Sequence, residues 1–89
     1  MLKAITTKQF ERDIKKSKKR GKDLTKIFNV MRKLLNQEKL LIKNRDHLLT
    51  GDYNGRRECH IDPDWLLIYK LESISIIFER TGSHSDLFR

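Results

Sequence analysis

The sequence contains few of the residues that mark secreted, membrane-spanning or linker-rich proteins. It has a single cysteine, Cys59, so no disulfide can form within the chain, as is usual in a reducing cytosol. One proline and four glycines leave no low-complexity linker. No apolar run approaches the ~20 residues of a membrane span, and the first residues lack the apolar stretch of a signal peptide. We therefore expect a cytoplasmic protein that does not bind membranes.

Positive charge is what the sequence has in excess. Its 89 residues contain 20 Lys and Arg against 12 Asp and Glu, which gives a net charge of +8. A chain of this length is expected to form one domain, residues 1–89, with a modest core. A field of this sign attracts polyanions, of which nucleic-acid backbones are the most common. From charge alone, a basic surface that serves only solubility is an open alternative.

The first half of the chain predicts a strand followed by two helices. Residues 2–5 can form the strand, and Thr6 with Gln9 has the spacing of a capping box that opens a helix. Gly21 is a plausible helix end, and Asp23 lies near the next helix start. The second helix shows an apolar face with the i, i+3, i+4, i+7 period, which predicts core packing. Its members are Leu24, Ile27, Phe28, Met31, Leu34 and Leu35.

The second half of the chain predicts strands. Residues 37–52 resemble a loop, and strands are expected over 56–61, 65–71 and 74–80. A turn around Pro63 separates the first two, because proline has no N–H to give to a central ladder. The order is β-α-α-β-β-β, which predicts an α+β fold: an antiparallel sheet with both N-terminal helices packed on one face.

A pairing argument brings several polar residues of the second half together. With tight turns between the strands, His60 lies opposite Trp65, and Trp65 lies opposite Arg80. His84 follows four residues after Arg80. This row depends on the register, because a slip of one residue turns every side chain to the other face.

These residue types suit the cleavage of RNA by its own 2′-hydroxyl. Histidine can accept or donate a proton near neutral pH, and the reaction needs both a base and an acid. The Arg80 guanidinium can hold a phosphate and stabilise its transition-state charge. The Trp65 ring can stack on a base.

Less specific interpretations stay open for the same residues. A histidine in a small domain is often structural, Arg80 can be a surface residue, and Trp65 by its position can belong to the core. A zinc site with Cys59 lacks the close Cys and His spacings that such sites use. We therefore expect no metal and no cofactor.

Three stretches carry a family resemblance. They are RDHLLTG at 45–51, RECHIDPDWLLIY at 57–69 and ERTGSHSDLF at 79–88. Together they resemble the YafQ branch of the RelE toxin superfamily, over about half of the chain. The resemblance implies a fold of the microbial-ribonuclease type, metal-independent cleavage of mRNA in the ribosomal A site, and inhibition by an antitoxin.

The resemblance also implies roles for individual residues. His84 is the candidate general acid, either His60 or Asp64 is the base, and Arg80 and His47 contact phosphate. The candidate substrate-binding residues are Trp65, Phe88, Arg57 and Lys43. The expected products are a 2′,3′-cyclic phosphate, or the 3′-phosphate derived from it, and a 5′-hydroxyl.

The alternative function is a non-catalytic basic module that binds RNA or DNA. Such a module needs cations and stacking surfaces, but it has no need for clustered imidazoles. For the toxin, the positive charge predicts an acidic antitoxin that folds on binding. DNA would then be contacted only indirectly, through the toxin–antitoxin complex.

Overall fold

A computed structural model describes residues 1–88, which form one five-stranded sheet and three helices. The strands are β1 (Lys3–Thr6), β2 (His47–Leu48), β3 (Arg57–Asp62), β4 (Trp65–Leu71) and β5 (Ser75–Gly82). The helices are α1 (Lys8–Lys19), α2 (Leu24–Leu35) and α3 (His84–Leu87), and short 3₁₀ turns lie at Ile42–Asn44 and Gly51–Tyr53. The predicted α+β class is confirmed, while β2 and α3 are elements that the sequence did not indicate.

The sheet is mixed rather than antiparallel throughout. Its strand order is β1-β5-β4-β3-β2, and β1 pairs with β5 in parallel while the other neighbours are antiparallel. The parallel pair brings the end of β1 beside Phe78, whose carbonyl accepts the N–H of Thr7 at 3.2 Å. Helix α1 therefore begins at this edge and continues along β5.

Local signals set the helix boundaries. The cap of α1 is Thr7 rather than Thr6, because the Thr7 side chain accepts the Phe10 N–H at 2.9 Å. Gly21 follows the helix with a φ of 80°, a left-handed conformation that glycine adopts without strain. Asp23, expected near the start of the second helix, is the cap of α2 and accepts the Thr25 N–H at 3.0 Å.

The two faces of the sheet carry separate apolar clusters. The helix face, covered by α1 and α2, holds the larger cluster: Phe10, Ile27, Cys59, Trp65, Leu67, Tyr69, Ile76 and Phe78. The open face, which the two long helices leave uncovered, holds Leu66, Ile68 and Leu87, with Leu49 and Tyr53 packed against them. Because Leu87 belongs to the second cluster, α3 lies on the open face.

One residue of the predicted helical core is misassigned. Ile27 is fully buried, but Phe28 is 47% exposed and lies beside Phe10 and Ile14 at a shallow groove between α1 and α2. The apolar stripe of α2 is wider than the surface that the sheet can cover.

Within residues 1–88, no helix has the length and apolar character needed to cross a membrane.

Candidate active site

Strand register places several polar side chains on the open face. His47 pairs with Glu58, Glu58 with Ile68, and Ile68 with Arg80, which makes one row across four strands. His60 pairs with Leu66 in the next row. Directly opposed residues point to the same face, and residues two apart on a strand do so as well. The open face therefore carries His47, Glu58, His60 and Arg80.

The predicted row of His60, Trp65 and Arg80 is wrong in register. Trp65 pairs with Asp62, so the turn is centred on Pro63 and Asp64, and a bulge shifts the ladder between His60 and Asp62. A second bulge shifts the pairing of β4 with β5 near Ile68. Bulges are local backbone features that spacing along a sequence does not reveal. His60 and Arg80 nevertheless share a face.

Trp65 faces the helix side and is 1% exposed. Its indole N–H donates to the Thr81 hydroxyl at 2.9 Å, and that hydroxyl donates to the Leu66 carbonyl at 2.6 Å. The predicted role of Trp65 as a stacking platform is wrong, since neither face of its ring is free to receive a base. It joins β4 to β5 inside the core.

Arg57, predicted to bind substrate, lies on the other face of the sheet from the histidines. It pairs with Tyr69, a residue of the helix face, and its Nε lies 3.3 Å from Asp46 Oδ1. The Tyr69 hydroxyl donates to the same oxygen at 2.6 Å. Arg57 therefore belongs to a structural polar cluster on the side of the sheet away from the histidines.

Helix α3 carries His84 to the open face, and its own capping holds it there. The Ser83 side chain and the Asp86 side chain cap each other's backbone N–H groups, which is a capping box. Arg20 at the end of α1 donates to Asp86 at 2.7 Å. These contacts lower the pKa of Asp86 well below its usual value, with the Arg20 hydrogen bond as the main cause. A side chain at Gly82 would meet Asp86 at 3.0 Å, so glycine permits this close approach.

His84 is paired with Asp64. Asp64 Oδ1 lies 2.6 Å from the Nδ1 of His84 and also accepts the His84 backbone N–H at 2.9 Å. A carboxylate accepts hydrogen bonds, so Nδ1 carries the proton of this pair and Nε2 is left for a substrate. The backbone hydrogen bond first, and then the side-chain one, lowers the pKa of Asp64 below its usual range.

His60 stands next to His84. The two ring centroids lie 5.7 Å apart in an edge-to-face arrangement with an interplanar angle of 61°. The His60 side chain is 12% exposed, whereas that of His84 is 54% exposed. The Asn44 amide donates to the His60 carbonyl at 2.8 Å, which ties the preceding 3₁₀ turn to this point of β3.

His47 reaches the same group through Glu58. Glu58 Oε2 lies 3.4 Å from the Nε2 of His47 and 3.5 Å from the Nε2 of His60. The Nδ1 of His47 lies 2.6 Å from the Arg45 carbonyl oxygen. Sequence reasoning missed Glu58, although its place two residues before His60 on a strand was the available signal.

Arg80 is held by a carboxylate that the sequence did not connect with it. Its Nε and Nη2 lie 2.8 and 3.4 Å from the two oxygens of Asp13 on α1. Asp13 is 6% exposed and also accepts the Thr81 N–H at 3.1 Å. The hydrogen bond to Asp13 raises the pKa of Arg80, and Asp13 engages two of the five guanidinium N–H groups.

Two clefts border this group of residues. One of about 280 Å³ is lined by Lys43, Arg45 and Pro63 and reaches His60. The other, of about 200 Å³, lies between α1, β5 and α3, and its cations are Arg12, Lys16, Arg20 and Arg80. The first cleft therefore places positive charge beside His60, and the second places it beside Arg80.

Phe88 ends α3 and contacts the same face. Its ring lies 5.5 Å from that of Tyr53, edge to face, and it is 39% exposed. Tyr53 packs against the cluster of Leu66 and Ile68.

Within residues 1–88, no group of three His, Cys, Asp or Glu side chains has an arrangement that could hold a metal ion.

Comparison with known proteins identifies the family. Residues 2–89 match the family model described as the bacterial toxin of type II toxin–antitoxin systems, YafQ. The chain belongs to the YafQ family. The resemblance predicted from the three stretches is therefore confirmed, and it extends over nearly the whole chain.

Individual members of the YafQ family are similar in both sequence and structure. The mRNA interferase toxin YafQ of Escherichia coli strain K12 is 43% identical over 81 residues, which cover 90% of this chain and 88% of that protein. The crystal structure of YafQ from E. coli strain BL21(DE3) matches with a TM-score of 0.95 at 38% identity, covering 100% of both chains. YafQ in the crystal structure of the E. coli DinJ–YafQ toxin–antitoxin complex matches with a TM-score of 0.91 at 39% identity, covering 99% and 98% of the two chains.

Proposed function

We propose that this YafQ-family toxin is an mRNA interferase, an endoribonuclease that cleaves mRNA through attack by the RNA's own 2′-hydroxyl. The observation that carries this proposal is the pair of imidazoles, His60 and His84, with ring centroids 5.7 Å apart on the face that also holds Arg80. Two imidazoles on either side of one phosphate supply the base and the acid that this reaction needs.

His60 is the general base in this proposal. Asp64 is the other candidate, but its oxygen is engaged twice by His84, and those hydrogen bonds lower the pKa of the carboxyl group. A carboxylate with a lowered pKa is a weak proton acceptor at neutral pH. The imidazole of His60 lies in the cleft and suits proton abstraction better.

His84 is the general acid. With Nδ1 turned to Asp64, it presents Nε2 to the substrate, and the proton passes from this nitrogen to the leaving oxygen. Asp64 thus acts through His84, by orienting the ring. In hydrolases of unrelated folds, a carboxylate likewise orients the histidine that transfers the proton.

Cations around the pair hold the phosphate. Arg80 supplies the N–H groups that Asp13 leaves free, and His47 supplies a second contact from β2. Lys43 contacts the substrate from the cleft next to His60, and Phe88 positions substrate or His84 from the end of α3. The positive charge of Arg80 and Lys43 stabilises the pentacoordinate phosphorane.

Groups of the chain and of the substrate account for every bond and proton that changes in the cleavage step. The 2′-oxygen forms a bond to phosphorus as its proton passes to His60. The bond from phosphorus to the 5′-oxygen breaks, and that oxygen receives a proton from His84. The products are a 2′,3′-cyclic phosphate and a 5′-hydroxyl, and water can later open the cyclic phosphate to the 3′-phosphate. No metal takes part in this scheme.

Cleavage of a short RNA in EDTA tests the chemistry. We expect cleavage of the all-ribose RNA and none when the scissile ribose is 2′-deoxyribose, because the nucleophile is then missing. His84→Ala should slow cleavage by about 10²–10⁴-fold, the usual contribution of a general acid. Ser85→Ala is the matched control, since it changes the neighbouring residue of α3 and leaves the imidazole in place.

Loss of activity in EDTA that Mg²⁺ or Zn²⁺ restores without ribosomes would contradict the metal-free scheme. Equal cleavage of the 2′-deoxy substrate would contradict attack by the 2′-hydroxyl. A protein that binds RNA tightly but cleaves neither substrate, and whose expression leaves growth unchanged, would instead be the non-catalytic module.

The proposed site of action is mRNA in the ribosomal A site. The net charge of +8 supports binding to an RNA-rich surface. Comparing cleavage of one mRNA free and on programmed ribosomes measures this dependence, with Mg²⁺ present in both arms because ribosomes need it. Equal rates in the two arms would contradict a requirement for the ribosome.

The proposed protein partner is an acidic antitoxin. This rests on family membership, on the crystallised complex of the related E. coli toxin, and on the positive charge of this chain. Coexpression with the acidic protein encoded next to the toxin should restore growth and yield a stable complex. An unrelated acidic protein of similar size is the control for charge alone.

A further inference from the structure

Glu58 has no part in the scheme above, yet it occupies the middle of the site. It lies on β3 and is 5% exposed. A buried carboxylate is costly unless other groups compensate its charge. Within residues 1–88, the basic groups within 4.0 Å of this carboxylate are the imidazoles of His47 and His60.

The fold places Glu58 between these two rings by register. His47 is its partner across the β2–β3 ladder, and His60 is two residues further along β3, so all three point to the open face. On its other side, toward β4, Glu58 is paired with the fully buried Ile68. The carboxylate thus has an apolar neighbour on one side and two imidazole edges on the other.

His47 is held from a second direction. Its Nδ1 lies 2.6 Å from the Arg45 carbonyl oxygen, which can only accept, so Nδ1 carries the proton of this hydrogen bond. Arg45 has a φ of 48°, a left-handed conformation that is uncommon for residues other than glycine. This conformation turns the chain out of the preceding 3₁₀ turn and into β2. The ring of His47 is therefore held at Nδ1 by Arg45, while its Nε2, 3.4 Å from the Glu58 carboxylate, is the nitrogen left to face a phosphate beside Glu58.

We infer that Glu58 is a positioning residue that holds the rings of His47 and His60 in fixed orientations, so that both act on the same phosphate. The catalytic consequence of this inference rests on the proposed function. Its structural part rests only on the distances between Glu58 and the two rings. Glu58 contacts neither the phosphate nor the reacting atoms. It sets the direction of the two imidazoles that do.

Glu58→Leu is the main test variant. Leucine matches the volume of the side chain and packs beside Ile68, and replacing a buried charge by an apolar residue of similar size is often neutral for stability. We expect kcat to fall by about 10–100-fold, because small misplacements of catalytic groups cost rates of that order. We expect KM to stay within about twofold, because uniform substrate binding is not removed.

Two further variants separate positioning from a general structural effect. Glu58→Gln keeps an acceptor oxygen between the rings and should recover most of the lost kcat. Tyr69→Phe removes a part-buried hydrogen bond from the helix face of the same sheet, where no histidine is touched. It should leave kcat unchanged even if it lowers stability.

Imidazole ¹⁵N NMR of the complete chain gives a readout that does not depend on activity. In the unaltered protein the ring nitrogens of His47 and His60 should each show the signals of one fixed hydrogen-bonding state. In Glu58→Leu these signals should move toward those of a free imidazole that exchanges between tautomers, while Tyr69→Phe should leave them in place.

The outcomes distinguish the two proposals. Unchanged imidazole signals and an unchanged kcat in Glu58→Leu would overturn the inference. Altered signals, together with a fully active His84→Ala, would support the structural part while rejecting the proposed catalytic roles. Altered signals with a lower kcat, restored by Glu58→Gln, would establish the positioning role.

Discussion

Removing the Asp64 carboxylate is expected to slow cleavage only through its effect on His84. Asp64 accepts both the ring Nδ1–H and the backbone N–H of His84, at 2.6 and 2.9 Å. The side chains of the pair are 68% and 54% exposed, so water can replace much of what the carboxylate provides. We therefore expect Asp64→Ala to lower the cleavage rate by about tenfold, against about 10²–10⁴-fold for His84→Ala.

The double variant decides between the two roles of Asp64. If the carboxylate acts through His84, Asp64→Ala combined with His84→Ala should be no slower than His84→Ala alone, because groups that act as a unit are non-additive. If Asp64 is an independent base, its loss should cost about 10²–10⁴-fold by itself, and the two effects should multiply.

Single-turnover cleavage of one defined RNA measures all of these rates. Asp52→Ala is the matched control, since it removes an exposed carboxylate from the turn before β3 and should leave the rate unchanged. A multiplicative double variant would refute the assignment of Asp64 to His84 and would return the carboxylate to the role of base. If Asp64→Ala cleaved RNA as slowly as His84→Ala, the contact between these two exposed side chains would contribute more to the cleavage rate than their exposure to water implies.

Three further predictions concern packing, charge and substrate binding. Ile27→Ala should lower the free energy of unfolding by about 2–5 kcal/mol and Phe28→Ala by clearly less, as measured in denaturant melts, because only Ile27 is fully buried. Because the pKa of Asp86 is lowered in the folded state, its ionised form stabilises the protein fully above about pH 4 and loses this effect as the pH falls through the folded pKa. Melts of the unaltered protein and of Asp86→Asn should therefore differ at pH 5 and converge toward pH 2. Arg80→Ala should weaken binding of a non-cleavable RNA more than His84→Ala does, by equilibrium titration, because Arg80, unlike His84, holds the phosphate in the ground state. Equal losses of stability at Ile27 and Phe28, a constant difference across pH, or equal binding losses would contradict the respective assignment.

Much of the fold follows from local patterns in the chain. The bounds of β4, residues 65–71, and the cap at Asp23 agree with the sequence prediction, since an apolar run and a capping side chain act over short distances. Gly21 ends the first helical segment for an equally local reason. The family assignment likewise needed only motifs that lie within contiguous stretches.

The errors have a common physical origin. Residue spacing predicted one row through His60, Trp65 and Arg80, but two bulges change the pairing, and Trp65 turns into the core. Phe28 fits the helical period but lies beyond the area that the sheet covers. Both of these errors come from a choice between faces, which depends on register and on neighbouring layers rather than on spacing.

The sequence by itself determined the charge, the helix and strand types, the family and the presence of imidazoles for acid–base chemistry. Tertiary structure alone decided which carboxylate lies next to which basic side chain: Asp64 with His84, Glu58 with two histidines, and Asp13 with Arg80. Asp13 and Arg80 are 67 residues apart in the chain. Such pairs form because the packing of α1 along β5 and the register of the sheet bring distant side chains within hydrogen-bond distance, and no local preference encodes that approach.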